Sequence, residues 1–114
     1  MANIQLTWTA LTSDPGDVDS LEVYVCEPGA NTLKATEAEF QTALDAIQAG
    51  SNAAAQDLRL VEGGLAWNAA ATTSSDPATA SGIHYYCVAA KNAAGYKVGD
   101  GDGTTPPAVS SVTV

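Results

Sequence analysis

Ile4-Gln5-Leu6-Thr7-Trp8-Thr9-Ala10 is the stretch on which the fold turns. Successive side chains of an extended chain point to opposite faces, so Ile4, Leu6, Trp8 and Ala10 share one face and Gln5, Thr7 and Thr9 the other. A two-residue hydrophobic period of this kind predicts a strand with one face buried. The period returns in Leu21-Glu22-Val23-Tyr24-Val25, in residues 83–90 and, more weakly, in residues 108–114. Ser13-Asp14-Pro15-Gly16-Asp17 and Glu27-Pro28-Gly29 stand between these runs as turn signals.

One segment keeps a different beat. Phe40, Leu44 and Ile47, with Ala43 on the same stripe, recur at helical spacing. Thr36 and Glu39 form a capping-box signature, and Gly50 offers a stop. A short helix is therefore expected over residues 37–49, inside an insertion of about residues 30–56. Its narrow stripe is expected to lie across an edge or open end of the sheets. Gly63-Gly64, between apolar residues 58–61 and 65–69, predicts a tight hairpin. Residues 70–82 read as a long connection and residues 92–107 as a glycine-rich loop. Together these features predict an all-β protein, an antiparallel two-sheet sandwich with one inserted helix, as a single domain over residues 1–114. The expected core is Leu6, Trp8, Leu21, Val23, Val25, Tyr86, Val88 and Ala90.

Composition narrows the partners. Of 114 residues, 46% are hydrophobic, enough for a folded core. Thirteen acidic against four basic residues give a net charge of −9, which repels phosphate backbones and anionic membranes alike. Nucleic acid and membrane are thus not expected as direct partners. The apolar runs are too short for a membrane span, and the first residues do not read as a secretory signal. The chain is expected to be a complete product made in a cytoplasm.

Three of these stretches resemble the fibronectin type III family. Leu6-Thr7-Trp8 is similar to the Leu-x-Trp of the family's second strand, and residues 21–25 to its third. Val88-Ala89-Ala90-Lys91-Asn92-Ala93-Ala94-Gly95 is similar to the Val-x-Ala-x-Asn-x-x-Gly that ends its sixth. The resemblance implies a fibronectin type III-like sandwich. The chain departs from the pattern at His84, where the family has its corner tyrosine, and in the helix. It also leaves no room before Ile4 for a first strand. That strand is lost, replaced by the tail at residues 106–114, or supplied by a neighbouring subunit.

Candidate chemistry is sparse. His84 shares the inward parity of Tyr86 and Val88, which suits a ring bonded to nearby backbone better than a catalytic one. Cys26 and Cys87 lie on the outward phase of strands that the resemblance makes neighbours. A disulfide between them is conceivable if the register brings their Cβ atoms within roughly 4 Å, although a cytoplasmic product keeps its thiols. A zinc site with His84 as third ligand is poorer still. Gly99-Asp100-Gly101-Asp102-Gly103 lacks the later glutamate of a calcium loop, so an acidic surface loop is the simpler reading. No cofactor is expected.

The function expected from these features is non-enzymatic. Family-level analogy points to a structural protein of a bacteriophage particle, assembled in the host cytoplasm and exposed on the virion surface. Its partners would be other virion proteins, the major capsid protein first, and copies of itself. A capsid decoration or cement protein is favoured, with a tail or fibre component, or a module for carbohydrate or a cell-surface protein, as alternatives. Candidate contact residues are Asp14, Asp17, Asp19, Tyr96, Asp100 and Asp102 in loops, and Val109, Val112 and Val114 in the tail. Trp67, Tyr24, Tyr85 and Tyr96 are the aromatic residues from which a glycan platform would have to be built.

Overall fold

In a computed structural model of the protein, residues 3–11, 16–77, 80–98 and 109–114 are described. The alternating runs become strands. β1 (Asn3–Ile4) pairs antiparallel with β4 (Asp76–Pro77) in a two-stranded sheet. A larger antiparallel sheet contains β2 (Ser20–Cys26), β3 (Arg59–Leu65), β5 (Ile83–Asn92), β6 (Gly95–Val98) and β7 (Val109–Thr113). Its order is β3-β2-β5, and β6 and β7 then share the far edge of β5. β6 pairs with residues 89–92 of β5, whereas β7 pairs with residues 83–87.

The two sheets pack face to face. Ile4 and Leu6 from the smaller sheet bury against Leu21, Val23, Val25, Leu65, Tyr86, Val88 and Ala90 from the larger. Every residue of the expected core is buried in this cluster except Trp8, which is half-buried at its margin. The indole is held there because its Nε1–H donates to the Ala69 carbonyl at 2.7 Å, a bond that draws the ring toward the rim.

The helix corrects the expected architecture. α1 (Glu37–Gln48) begins at Thr36, whose hydroxyl oxygen accepts from the Glu39 amide, while the Glu39 carboxylate accepts in return from the Thr36 hydroxyl and the Ala35 amide. α1 does not lie across an edge or an open end. Phe40, Ala43 and Leu44 bury against Tyr24, Cys26, Cys87 and Ala89, on the outer face of the larger sheet. Those strands are apolar on both phases, so both faces need cover, and the helix supplies it on one side. The larger sheet is therefore the middle of three layers.

Gly63 and Gly64 form no hairpin. β3 runs straight through them, and its register against β2 slips twice, between Leu21 and Val23 and again between Val23 and Tyr24. A bulge needs an extra residue and often a positive φ, which Gly64 provides at +71°. Two further connections contain pairing that the sequence reading assigned to loop. β4 and a bridge from Thr7 to Ala71 lie within residues 70–82, and β6 lies within residues 92–107. Short strands without a clear apolar alternation leave little periodic signal.

Candidate functional site

The helix covers the outer face of the larger sheet and the smaller sheet part of its inner face, and the sheet edges differ in how they are covered. On one edge the cover is a side chain. Gln41 of α1 reaches the border of β6, where its Oε1 accepts from the Val98 amide at 2.8 Å and its Nε2 donates to the Tyr96 carbonyl at 2.8 Å. A primary amide carries the same donor and acceptor as a peptide group, so Gln41 occupies hydrogen-bonding positions an added strand would need.

The β1 side has a different character. Beyond Ile4 the chain continues extended, held by Trp8 N–H to the Ala70 carbonyl at 2.8 Å and Thr72 N–H to the Leu6 carbonyl at 3.0 Å. These two bonds flank the bridge between Thr7 and Ala71, which makes that pair the non-hydrogen-bonded kind. The N–H and C=O of Thr7 itself consequently point away from Ala71. Among the described residues no strand pairs with that side. Residues 109–113 of the tail do not pair on that side, because β7 belongs to the larger sheet, with His84 opposite Val112 and Tyr86 opposite Ser110.

The smaller sheet is two strands wide and the larger about four, so part of the larger sheet's inner face extends beyond its cover. A groove results between the extended run that continues β1, residues 6–9, and β7. Leu6, Thr7 and Thr9 form one bank, Tyr86 and Val88 line its interior, and Ser110 stands on the opposite bank. Ser110 shares the inward phase of Tyr86 yet is exposed, a direct sign that this strip of the inner face is uncovered. Among the described residues, none that line the groove is charged.

Across the molecule the sheets are tied by a polar network. Asp76 on β4, only 4% exposed, accepts from Arg59 Nη1 and Nη2 at 2.9 and 3.1 Å and from the Tyr86 hydroxyl at 2.7 Å. Arg59 Nε also donates to Glu27 at 2.8 Å. Burial acts to raise the Asp76 carboxyl, but the hydrogen bonds from Arg59 and Tyr86 outweigh it and hold it below the ordinary carboxylate range. Burial, then the bond to Asp76, pushes the Tyr86 phenol up. This network was missed in the sequence, where Arg59 and Asp76 are isolated charges 17 positions apart.

The other expected site residues are dispersed. His84 is fully buried, its ring stacked 6.4 Å from that of Tyr86; Nδ1 lies 3.3 Å from the Gly82 carbonyl and Nε2 has no hydrogen-bond partner. Cys26 and Cys87 are both buried free thiols. Tyr24, not Cys26, stands opposite Cys87, so the cysteines are one diagonal step apart. Diagonal Cα atoms are about 7–8 Å apart, too far for a disulfide, and the conceivable bridge is not formed. Burial raises the Cys87 thiol far above its usual range. Tyr24 is buried despite its outward phase, because α1 shares that face. Its hydroxyl lies 3.2 Å from that of Tyr96, and the two rings meet edge to face at 6.1 Å. Tyr96, Tyr85 and Trp67 are half-buried, and Lys91 Nζ lies 5.3 Å from the centre of the Tyr96 ring.

Of the loop candidates, Asp17 and Asp19 are exposed, and Asp14, Asp100 and Asp102 lie outside the described residues. Val112 and Val114 pack on the inter-sheet core and Val109 on the helix side, so these three valines serve the fold first. Among the described residues no group of three His, Cys, Asp or Glu side chains is arranged to hold a metal, and no helix is long and apolar enough to cross a membrane. No family model, curated protein or solved structure matches the chain. The described residues define a mostly-β protein of two antiparallel sheets with one covering helix, in which no strand pairs with the outward side of Thr7.

Proposed function

We propose that this chain is a non-enzymatic interaction protein of a multi-subunit assembly, with a fibronectin type III-like sandwich as its frame. Strand order supports that frame. β1 and β4 facing β3-β2-β5, with β6 and β7 beyond, is consistent with a two-sheet Greek-key sandwich.

The observation that carries the functional reading is the side of the chain at Thr7, just past β1, with which no strand pairs among the described residues. Soluble proteins blunt their edges, as Gln41 does for β6; an edge left open serves as a joint. Within this class we favour a bacteriophage head, with the chain as a decoration or cement protein on the major capsid protein. A net charge of −9 keeps many copies soluble at high local density and selects against nucleic acid.

The test is to add the purified protein to capsid shells lacking it and measure co-sedimentation, alongside mass spectrometry of the native particle. Saturable binding in many copies per shell is expected. Absence from the particle together with no binding to shells would overturn the capsid reading. Recovery of the protein only in tail fractions would replace it with the tail reading.

A further inference from the structure

We propose that the groove between β1 and β7 is the seat of an added β-strand, donated by a partner protein as an extended segment of alternating apolar residues with basic flanks. The proposal rests on the interaction reading above and names the kind of partner it requires.

Three observations define the occupant. First, Thr7 lines the groove, and its N–H and C=O point away from Ala71 and are not used by the bridge to it. A row of peptide groups is matched in register by another extended backbone, which a flat apolar surface or a helix cannot supply. Second, the width fits. Neighbouring strands lie about 4.8 Å apart, and the two-stranded sheet covers only part of a sheet about four strands wide, leaving a strip beside β1. Third, the lining fits one phase of a strand. Leu6, Tyr86 and Val88 present apolar surface, so every second side chain of the incoming strand would face them and the rest would face water.

Charge then separates the donors. The described residues of the lining carry no charge, while the chain as a whole carries −9. A second copy would bring another −9 against the first, and a neutral-to-basic segment would be drawn in. The occupant is therefore assigned to a different protein.

The test uses a backbone-specific substitution. Thr7→Pro removes an N–H that no bond to β4 uses, on an exposed edge position where proline is tolerated, and Leu6 before it is already extended. The free protein should fold unchanged, but the strand seat is spoiled. Thr7→Val keeps the backbone and is the matched control. Ser110→Arg places a bulky charge on the opposite bank at an exposed position.

The probe is a fluorescein-labelled octapeptide alternating valine and threonine with lysine at both ends, read by anisotropy and by hydrogen exchange. Binding is expected to slow exchange at Thr7. Thr7→Pro and Ser110→Arg should each weaken binding at least about tenfold, since even one lost hydrogen bond of 1.4 kcal/mol is a factor of ten, and Thr7→Val should leave it unchanged. Equal binding by Thr7→Pro, absence of binding at millimolar peptide, or protection confined to another edge would overturn the proposal. So would a concentration-dependent dimer abolished by Thr7→Pro, because the donor would then be a second copy. If the protein co-sediments with shells and Thr7→Pro does so equally well, the interaction reading survives and the strand seat does not.

Discussion

Removing the Asp76 carboxylate should cost far more than the loss of one surface ion pair. In Asp76→Ala the Tyr86 hydroxyl, on a residue 1% exposed, loses its acceptor inside the sandwich. A stranded buried donor costs about 1–3 kcal/mol. Arg59 keeps Glu27 at 2.8 Å and its side chain is 40% exposed, so its lost pairing is screened and adds at most about 1 kcal/mol. The variant should thus lose about 3 kcal/mol. Tyr86→Phe removes the donor and leaves both Arg59 bonds to Asp76, at about 1 kcal/mol. In the double variant no hydroxyl is stranded, so its cost should fall short of the summed single costs by about 1–2 kcal/mol. Urea unfolding followed by the fluorescence of Trp8 and Trp67 measures each term from the midpoint at constant slope. Additive single costs, or an Asp76→Ala loss below about 0.5 kcal/mol, would refute the claim that this carboxylate ties β4 to the larger sheet.

The same group sets a pH dependence. An unfolded aspartate titrates near about 3.9, and in the folded protein Asp76 is held lower. For a depressed carboxyl, the stabilisation is complete above the unfolded value and is lost as pH falls through the folded one. Stability should therefore fall on acidification below about pH 4, and Asp76→Asn should flatten that part of the slope.

Gly64→Ala should destabilise by about 1–2 kcal/mol, because φ is +71° there, whereas Gly63→Ala meets only the mobile end of Glu22 at 3.0 Å and should cost less; thermal unfolding of the pair checks this. Gln41→Ala should uncover the β6 border, speeding hydrogen exchange at the Val98 amide and lowering stability by about 1 kcal/mol. Cys26 and Cys87 should resist alkylation at pH 9 in the native state and react on unfolding, since both are buried and burial holds the Cys87 thiol protonated; mass spectrometry reads the label count.

What the sequence conveyed depended on how much of each element is periodic. β2 and β5 alternate over seven and ten residues, and their inward sets were legible down to Leu21, Val23, Val25, Tyr86, Val88 and Ala90. The helix was legible from Thr36, Glu39 and the Phe40 stripe, but its place was not, because a stripe states that a face is buried and not what buries it. The outward phase gave that information: Tyr24, Cys26, Cys87 and Ala89 are poor choices for a solvated face and form a second apolar face under α1. The glycine pair misled because a bulge and a primed turn both call on glycine's freedom at positive φ. The Asp76 network was illegible for a different reason. Its members come from β3, β4 and β5, and only the folded topology brings them together.

The same logic decides why the β1 edge is the informative part of this surface. Some requirements of the larger sheet have a local answer: Gln41 on β6, β7 along the first half of β5, and α1 over the outer face; β3, at the other end of the sheet, pairs with β2 alone among the described residues. Each answer uses residues whose cost is visible, a helix insertion or a buried amide contact. Covering β1 would need one more strand of similar length, about 3.3 Å per residue. In its place lie Thr7 peptide groups turned outward beside an uncharged groove. Unmatched backbone on an apolar margin promotes promiscuous pairing. The outer sides of β3 and β7 are likewise unpaired among the described residues, so it is the groove beside Thr7, and not an open edge as such, that sets this margin apart, and Thr7→Pro asks of the backbone alone whether a partner strand pairs there.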